Sequence, residues 1–325
     1  MINKFSIGFI VLFSLGSCAN PEKAEKYGKR GNEGVKYYNN FVIFADLSNR
    51  IKYNLPSDKF IIGEFINYFN EEVAHVGQRR TAGRDLLRFS RLNNSEKTSC
   101  KEGFIDLGSI SPLAKRQKYV NGKNVEGNSL KDDLVLLQHG VDCVYDSHND
   151  SGINSLYMLK RRLTSGGLLR SNTIDIKGNI KFAFKNHIVL FTDGYIEFNT
   201  KSGDEGYFGG TELKRLRRAY LNSEEEDIKV FLRNNPSYGL PLMKKPFIQD
   251  DAVLYILETW DRTADRNKGN GKLNDIGDNE LLEAVWYLWA ESAGFSGFLW
   301  LEHIEEGDIG PGFIKNILVK VEALK

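Results

Sequence analysis

Two apolar runs far apart in the chain each end abruptly at a carboxylate. Phe41-Val42-Ile43-Phe44-Ala45 stops at Asp46, and Ile188-Val189-Leu190-Phe191 stops at Thr192-Asp193-Gly194. A strand with one wet face alternates apolar and polar residues. A run without alternation is a strand covered on both faces, as in a parallel sheet layered between helices. A third run, Ala252 to Leu257, carries the carboxylates Asp250 and Asp251 at its start instead. Between the runs the apolar period lengthens to that of a helix: Ile62, Phe65, Phe69, Val73 and Val76 follow Ser57, and Leu156, Leu159 and Leu163 follow Asn154. Thr211 precedes a further helical stretch, ELKRLRRAYL, and Ser223 with Glu226 has the spacing of a capping box that starts a helix toward Phe231. Leu282, Val285, Trp286 and Trp289 form a wide apolar stripe near the C-terminus. With 41% hydrophobic and 27% charged residues, the chain of 325 can bury a substantial core. The alternation of element types predicts an α/β fold with a central, mostly parallel sheet.

In such a sheet, ligands gather beyond the carboxyl ends of the strands. Asp46 and Asp193 both lie there, and Ser48 adds a hydroxyl to the first loop. Two carboxylates and a hydroxyl are hard oxygen donors suited to Mg²⁺ or Mn²⁺, so Asp46, Ser48 and Asp193 are the candidate metal ligands.

FVIFADLSNR (41–50) resembles the first strand and metal-ion-dependent adhesion motif of the von Willebrand factor type A family, and HIVLFTDG (187–194) resembles that family's later strand and its Thr-Asp-Gly turn. The resemblance implies a three-layer α/β/α sandwich over residues 36–325 and partner recognition rather than turnover. Arg50 stands where the family places a second serine, and Ile153 where it places a metal-facing threonine. A guanidinium from Arg50 near Asp46 and Asp193 would substitute for the cation, giving a degenerate site that binds without metal.

The N-terminus reads as an address. Lys4 precedes an apolar stretch, Phe5 to Leu15, of signal-peptide length, and Leu15-Gly16-Ser17-Cys18 resembles the lipobox of bacterial lipoproteins. The resemblance implies removal of 1–17, acylation of Cys18 and a lipid-anchored tether over 18–35. Without an Asp after Cys18, it also implies the outer membrane of the cell envelope. Multiple acyl chains anchor stably, each buried methylene contributing about 0.8 kcal/mol. Forty-four basic residues against 43 acidic ones make electrostatic adhesion to lipid or nucleic acid a poor explanation of function.

In an oxidising compartment Cys100 and Cys143 remain as a candidate disulfide, with buried free thiols or a metal site as the alternatives. Neither a CxxC spacing nor a neighbouring His pair supports metal. Residues from about 93 to 130 are polar and broken by Gly and Asn, and read as an irregular insertion. The C-terminal quarter, holding all four tryptophans, reads as an aromatic-rich helical extension. Lys214, Arg215, Arg217 and Arg218 read as a solvated helix face. The five histidines have no metal-ligand spacing, and His187 reads as a core or rim residue.

Three functions compete. The first is an envelope lipoprotein that binds a protein or polymer partner through the loops around Asp46 and Asp193. The second is a divalent-metal hydrolase using those aspartates with His148 or His187. The third is a purely structural lipoprotein. The absence of HExxH, P-loop and nucleophile-elbow motifs weighs against common hydrolase classes.

Overall fold

A computed structural model describes residues 36–47, 55–75, 83–93, 99–123, 127–147, 154–165, 167–174, 180–196, 206–262, 276–310 and 312–323. These belong to one unit, Lys36–Lys325. The signal segment, Cys18 and the tether lie outside the described residues, as do Ser48, Arg50, His148 and Ile153. No helix among the described residues is long and apolar enough to cross a membrane.

The strands are β1 (Lys36–Ala45), β2 (Leu86–Arg91), β3 (Gly103–Asp106), β4 (Thr173–Ile174), β5 (Ile180–Phe191), β6 (Ala252–Thr259) and β7 (Gly297–Glu302). They form one sheet in the order β3-β2-β1-β5-β6-β7, with β4 added beside β5. All pairs along that order are parallel except β2–β3, and β4 is antiparallel to β5. Chain order moves from β1 outward through β2, then resumes on the other side of β1 with β5 and continues through β6. The topological switch point therefore lies between β1 and β5.

The helices are α1 (Leu55–Tyr68, continued by a π-helical turn to Ala74), α2 (Leu113–Asn121), α3 (Leu130–Ser147), α4 (Ser155–Thr164), α5 (Gly210–Leu221), α6 (Ile228–Asn234), α7 (Asp278–Ala293) and α8 (Phe313–Ala323). Because side chains alternate along a strand, each central strand feeds two cores. Phe41 and Ile43 of β1, Val189 of β5 and Tyr255 of β6 pack with α1, α2, α3 and α8. Val42, Phe44, Ile188 and Leu254 pack on the other face with α4, α5, α6 and α7. This is why the runs show no polar alternation: both faces are dry. The layered α/β sandwich expected from the pattern is present.

Three expectations need correcting. The stretch 93–130 is not simply irregular. It supplies edge strand β3 and helix α2, whose Ile105, Tyr119 and Val120 join the first core. Elements this short leave too few residues to register a period. The C-terminal quarter is not an appendage either, since β7 completes the sheet while α7 and α8 cover opposite faces. Finally, α6 starts at Ile228 and is capped by Asp227, whose carboxylate accepts from the backbone N–H groups of Lys229 and Val230 at 2.7 and 3.2 Å. Ser223 instead donates to the Tyr220 carbonyl at 2.6 Å and closes the end of α5. Asp227 sits nearest the first apolar turn and competes better for the exposed N–H groups.

Cys100 and Cys143 are joined by a disulfide. It ties the β2–β3 connection to the exposed side of α3.

Candidate functional site

β1 and β5 pair in register to their last residues, Ala45 opposite Phe191, so Asp46 and Thr192 leave the sheet side by side. The Asp46 N–H donates to the Phe191 carbonyl at 3.0 Å, and the Thr192 hydroxyl donates to Asp46 Oδ2 at 3.0 Å. Asp193 follows directly. The structure thus brings the Asp46 and Asp193 segments together at the switch point, as the strand-end argument expects.

The turn after Asp193 is built for close approach. Gly194 has φ +86°, and a Cβ there would meet the Trp300 ring at 2.5 Å. Its carbonyl accepts from the indole N–H of Trp286 at 2.9 Å, so the turn is pinned to α7 beneath it. Glycine is required on both counts, backbone conformation and space.

Both carboxylates are covered: Asp46 is 1% and Asp193 5% exposed. The charge of Asp193 is met by Arg262, from the segment after β6, whose Nη2 donates to Asp193 Oδ2 at 3.0 Å. The Arg262 guanidinium lies 3.8 Å from the centroid of the Tyr195 ring. The Tyr195 hydroxyl donates to Asp278 at 2.9 Å, and Asp278 is also gripped by Arg217. Burial holds the Tyr195 hydroxyl well above the usual phenol range. Arg217, expected on a solvated face with its basic neighbours, is instead turned inward, and its Nε donates to the Ile276 carbonyl at 2.9 Å. A charged network therefore runs from the strand-end turn to the start of α7 and across to α5.

This network bears on the candidate cation. A guanidinium 3.0 Å from Asp193 already supplies the positive charge that a divalent ion would bring to that carboxylate. Asp46 meanwhile accepts from Thr192, and among the described residues no three His, Cys, Asp or Glu side chains gather as a metal shell. The described part of the site does not fit Mg²⁺ or Mn²⁺. Arg50, the guanidinium anticipated here, lies outside the described residues; among those described, the arginine that pairs with Asp193 is Arg262, from a segment with no recognisable motif.

Next along the same edge is a group that escaped the sequence reading. Glu258 is fully buried, and it is the one non-glycine residue with positive φ (64°) among those described. The pairing of β6 with β7 slips between Ile256 and Thr259, and this irregularity turns the carboxylate toward His303, whose Nδ1 lies 2.5 Å from Glu258 Oε2. The backbone N–H of Ile304 donates to the other oxygen at 3.3 Å, and the Trp260 ring packs against His303 at 5.5 Å. Burial pushes the Glu258 carboxyl up to about 7, aided by the negative charge of Asp58 and opposed by the hydrogen bond from His303. The third apolar run also ends in a carboxylate, Glu258, a signal masked in the sequence by the pair Asp250-Asp251 at its start.

His187 takes the structural role expected of it. It is 3% exposed, stacked on Phe41 at 4.7 Å, with Nδ1 2.9 Å from the Tyr255 hydroxyl. It lies several residues below the carboxyl edge and does not face Asp46 or Asp193. Trp286 and Trp289 are fully buried core residues.

No protein-family model matches the chain, and no curated protein matches it.

Proposed function

We propose that the protein is a lipid-anchored cell-envelope binding module with a von Willebrand factor type A-like domain, which recognises an envelope protein or polymer through its carboxyl-edge loops without a metal ion. The observation that carries this reading is the Asp193–Arg262 ion pair at the switch point beside Asp46. It keeps the strand-end geometry suited to recognition and satisfies its charge internally. The hydrolase reading loses support for the same reason, because its aspartates are buried and engaged by protein partners rather than presented to a substrate.

Capture of partners from solubilised outer membranes tests the reading. The full-length protein is expected to retain the same partners with and without a chelator, and to lose them in Asp193→Ala/Arg262→Ala. Partners that vanish with chelator, or that survive the double substitution, would overturn it. The anchor is tested separately: Cys18→Ser is expected to move the protein from the membrane pellet to the supernatant. Continued sedimentation with the membranes would remove the lipid anchor from the proposal.

A further inference from the structure

The strands of the sheet do not start level. β1 begins at Lys36, paired with Phe182 of β5, whereas β2 joins β1 only at Asn40 and β6 joins β5 only at Asn186. β5 starts at Ile180, so about 20 Å of strand projects past the amino end of β6. The projecting ends are aromatic. Tyr38 packs on Phe182 and Phe184 at ring separations of 5.9 and 5.8 Å, and Tyr37 turns outward, 54% exposed. Because β1, β5 and β6 run parallel, this amino edge is the one opposite Asp46 and Asp193. Residues 18–35 enter the domain here, through Lys36.

The segment that leads into β6 lies at the same edge. α7 runs back from the carboxyl edge and ends at Ala293, whose carbonyl accepts from the backbone N–H groups of Phe247 and Ile248 at 3.1 and 3.0 Å. The Met243 N–H donates to Ser292 Oγ at 3.1 Å, and Leu240 and Ile248 are buried in the second core. The underside of this segment is thus fixed, and Pro241 and Pro246 restrict its backbone further. Its outer side presents Leu242, 42% exposed, with Lys244 and Lys245, both exposed. Asp250 and Asp251, at its end, accept from the Ser171 and Ser296 hydroxyls at 3.0 and 2.5 Å. An apolar side chain held out on a braced loop beside two lysines suits a membrane interface: the leucine gains by leaving water, and the lysines meet anionic headgroups.

We propose that this amino edge lies against the membrane that carries the lipid anchor, with Leu242 among the headgroups, Lys244 and Lys245 on anionic lipid and Tyr37 at the interface. The orientation rests on the lipid-anchor reading given above. Two lysines do not draw a nearly neutral protein out of solution, but residues 18–35 span at most about 60 Å. An anchored domain therefore meets the surface at high effective concentration, and a weak contact suffices to orient it. The point of attachment and the loop share one edge, so both turn the domain the same way. The carboxyl edge with Asp46 and Asp193 then faces away from the membrane, toward a partner.

Tryptophan quenching tests the orientation, with full-length acylated protein in phosphatidylethanolamine–phosphatidylglycerol vesicles whose acyl chains are brominated. Leu242→Trp is expected to lose most of its added emission in these vesicles relative to unbrominated ones, and to regain it when combined with Lys244→Glu/Lys245→Glu. Glu305→Trp, at an 83% exposed side chain beyond β7 on the carboxyl edge, should keep its added emission. Flotation of wild type and Cys18→Ser with the same vesicles reports the anchor alone. Flotation that does not depend on Cys18 would overturn the anchor reading and the orientation together. Cys18-dependent flotation with Leu242→Trp unquenched, or with Glu305→Trp quenched equally, would overturn the orientation and leave the anchor standing. A dimer in detergent that Lys244→Glu/Lys245→Glu dissociates would assign the surface to a second copy of the chain and overturn it as well.

Discussion

Unfolding of the Cys100→Ser/Cys143→Ser variant is expected at a stability about 4 kcal/mol below wild type, the loop-closure entropy of a crosslink whose cysteines are 43 residues apart. Spread over a domain of this size, that is a fall in Tm of roughly 7 °C. The bond spans more than its own neighbourhood. Cys100 lies between β2 and β3, while Cys143 sits on α3, which packs Leu134, Leu137 and Val141 into the first core. Without the bond, the β2–β3 connection and α3 lose their covalent tie. The glycine contacts there are close: a Cβ on Gly103 would meet the Leu137 side chain at 2.6 Å, and one on Gly140 the Lys101 carbonyl at 2.5 Å. Chemical denaturation of oxidised wild type and the double variant measures the difference. A loss under about 1 kcal/mol would show that the unfolded chain gains little from release of the loop.

Glu258 gives the second large effect, and its sign is set by the direction of its shift. In the unfolded chain the carboxyl titrates near its ordinary 4.5; in the folded protein burial raises it to about 7. Between those values the native state holds a proton that the unfolded state has released. The contribution to stability is therefore fully present below pH 4.5 and is lost as pH rises through about 7. The size of the shift corresponds to roughly 3 kcal/mol. Glu258→Gln keeps the shape and removes the titration, so between pH 4 and pH 8 wild type should lose stability relative to the variant by about that amount. Parallel stability profiles for the two proteins would mean that the carboxyl has an ordinary affinity for protons despite its burial. The positive φ of Glu258 sharpens the expectation, because a backbone held in this region costs free energy and persists only where the surroundings enforce it.

Much of the fold was legible because local periodicity reports how many faces of an element are dry. The runs at 41–45, 188–191 and 252–257 became the three central strands, and the spacings at 62–73, 156–163 and 282–289 became α1, α4 and α7. Short elements were not legible: β3 spans four residues and α2 nine, too few for either period to stand out among Gly and Asn. The Ser223–Glu226 spacing points to a cap that Asp227 in fact supplies, because a pattern match does not say which side chain the first turn of α6 will reach.

The candidate site divides along the same line. Asp46 and Asp193 were predictable as neighbours, since each follows a doubly buried strand and carboxyl ends of parallel strands share one edge. Arg262 and the pair of Glu258 with His303 were not. Each pairs residues from different elements, and its chemistry depends on strand order or on one slipped register. By itself the sequence determined the main element types and the two-faced burial of the central strands, because these follow from the spacing of side chains along one segment. Only the tertiary structure decided which charges meet, because an ion pair depends on distances between segments that no local pattern encodes.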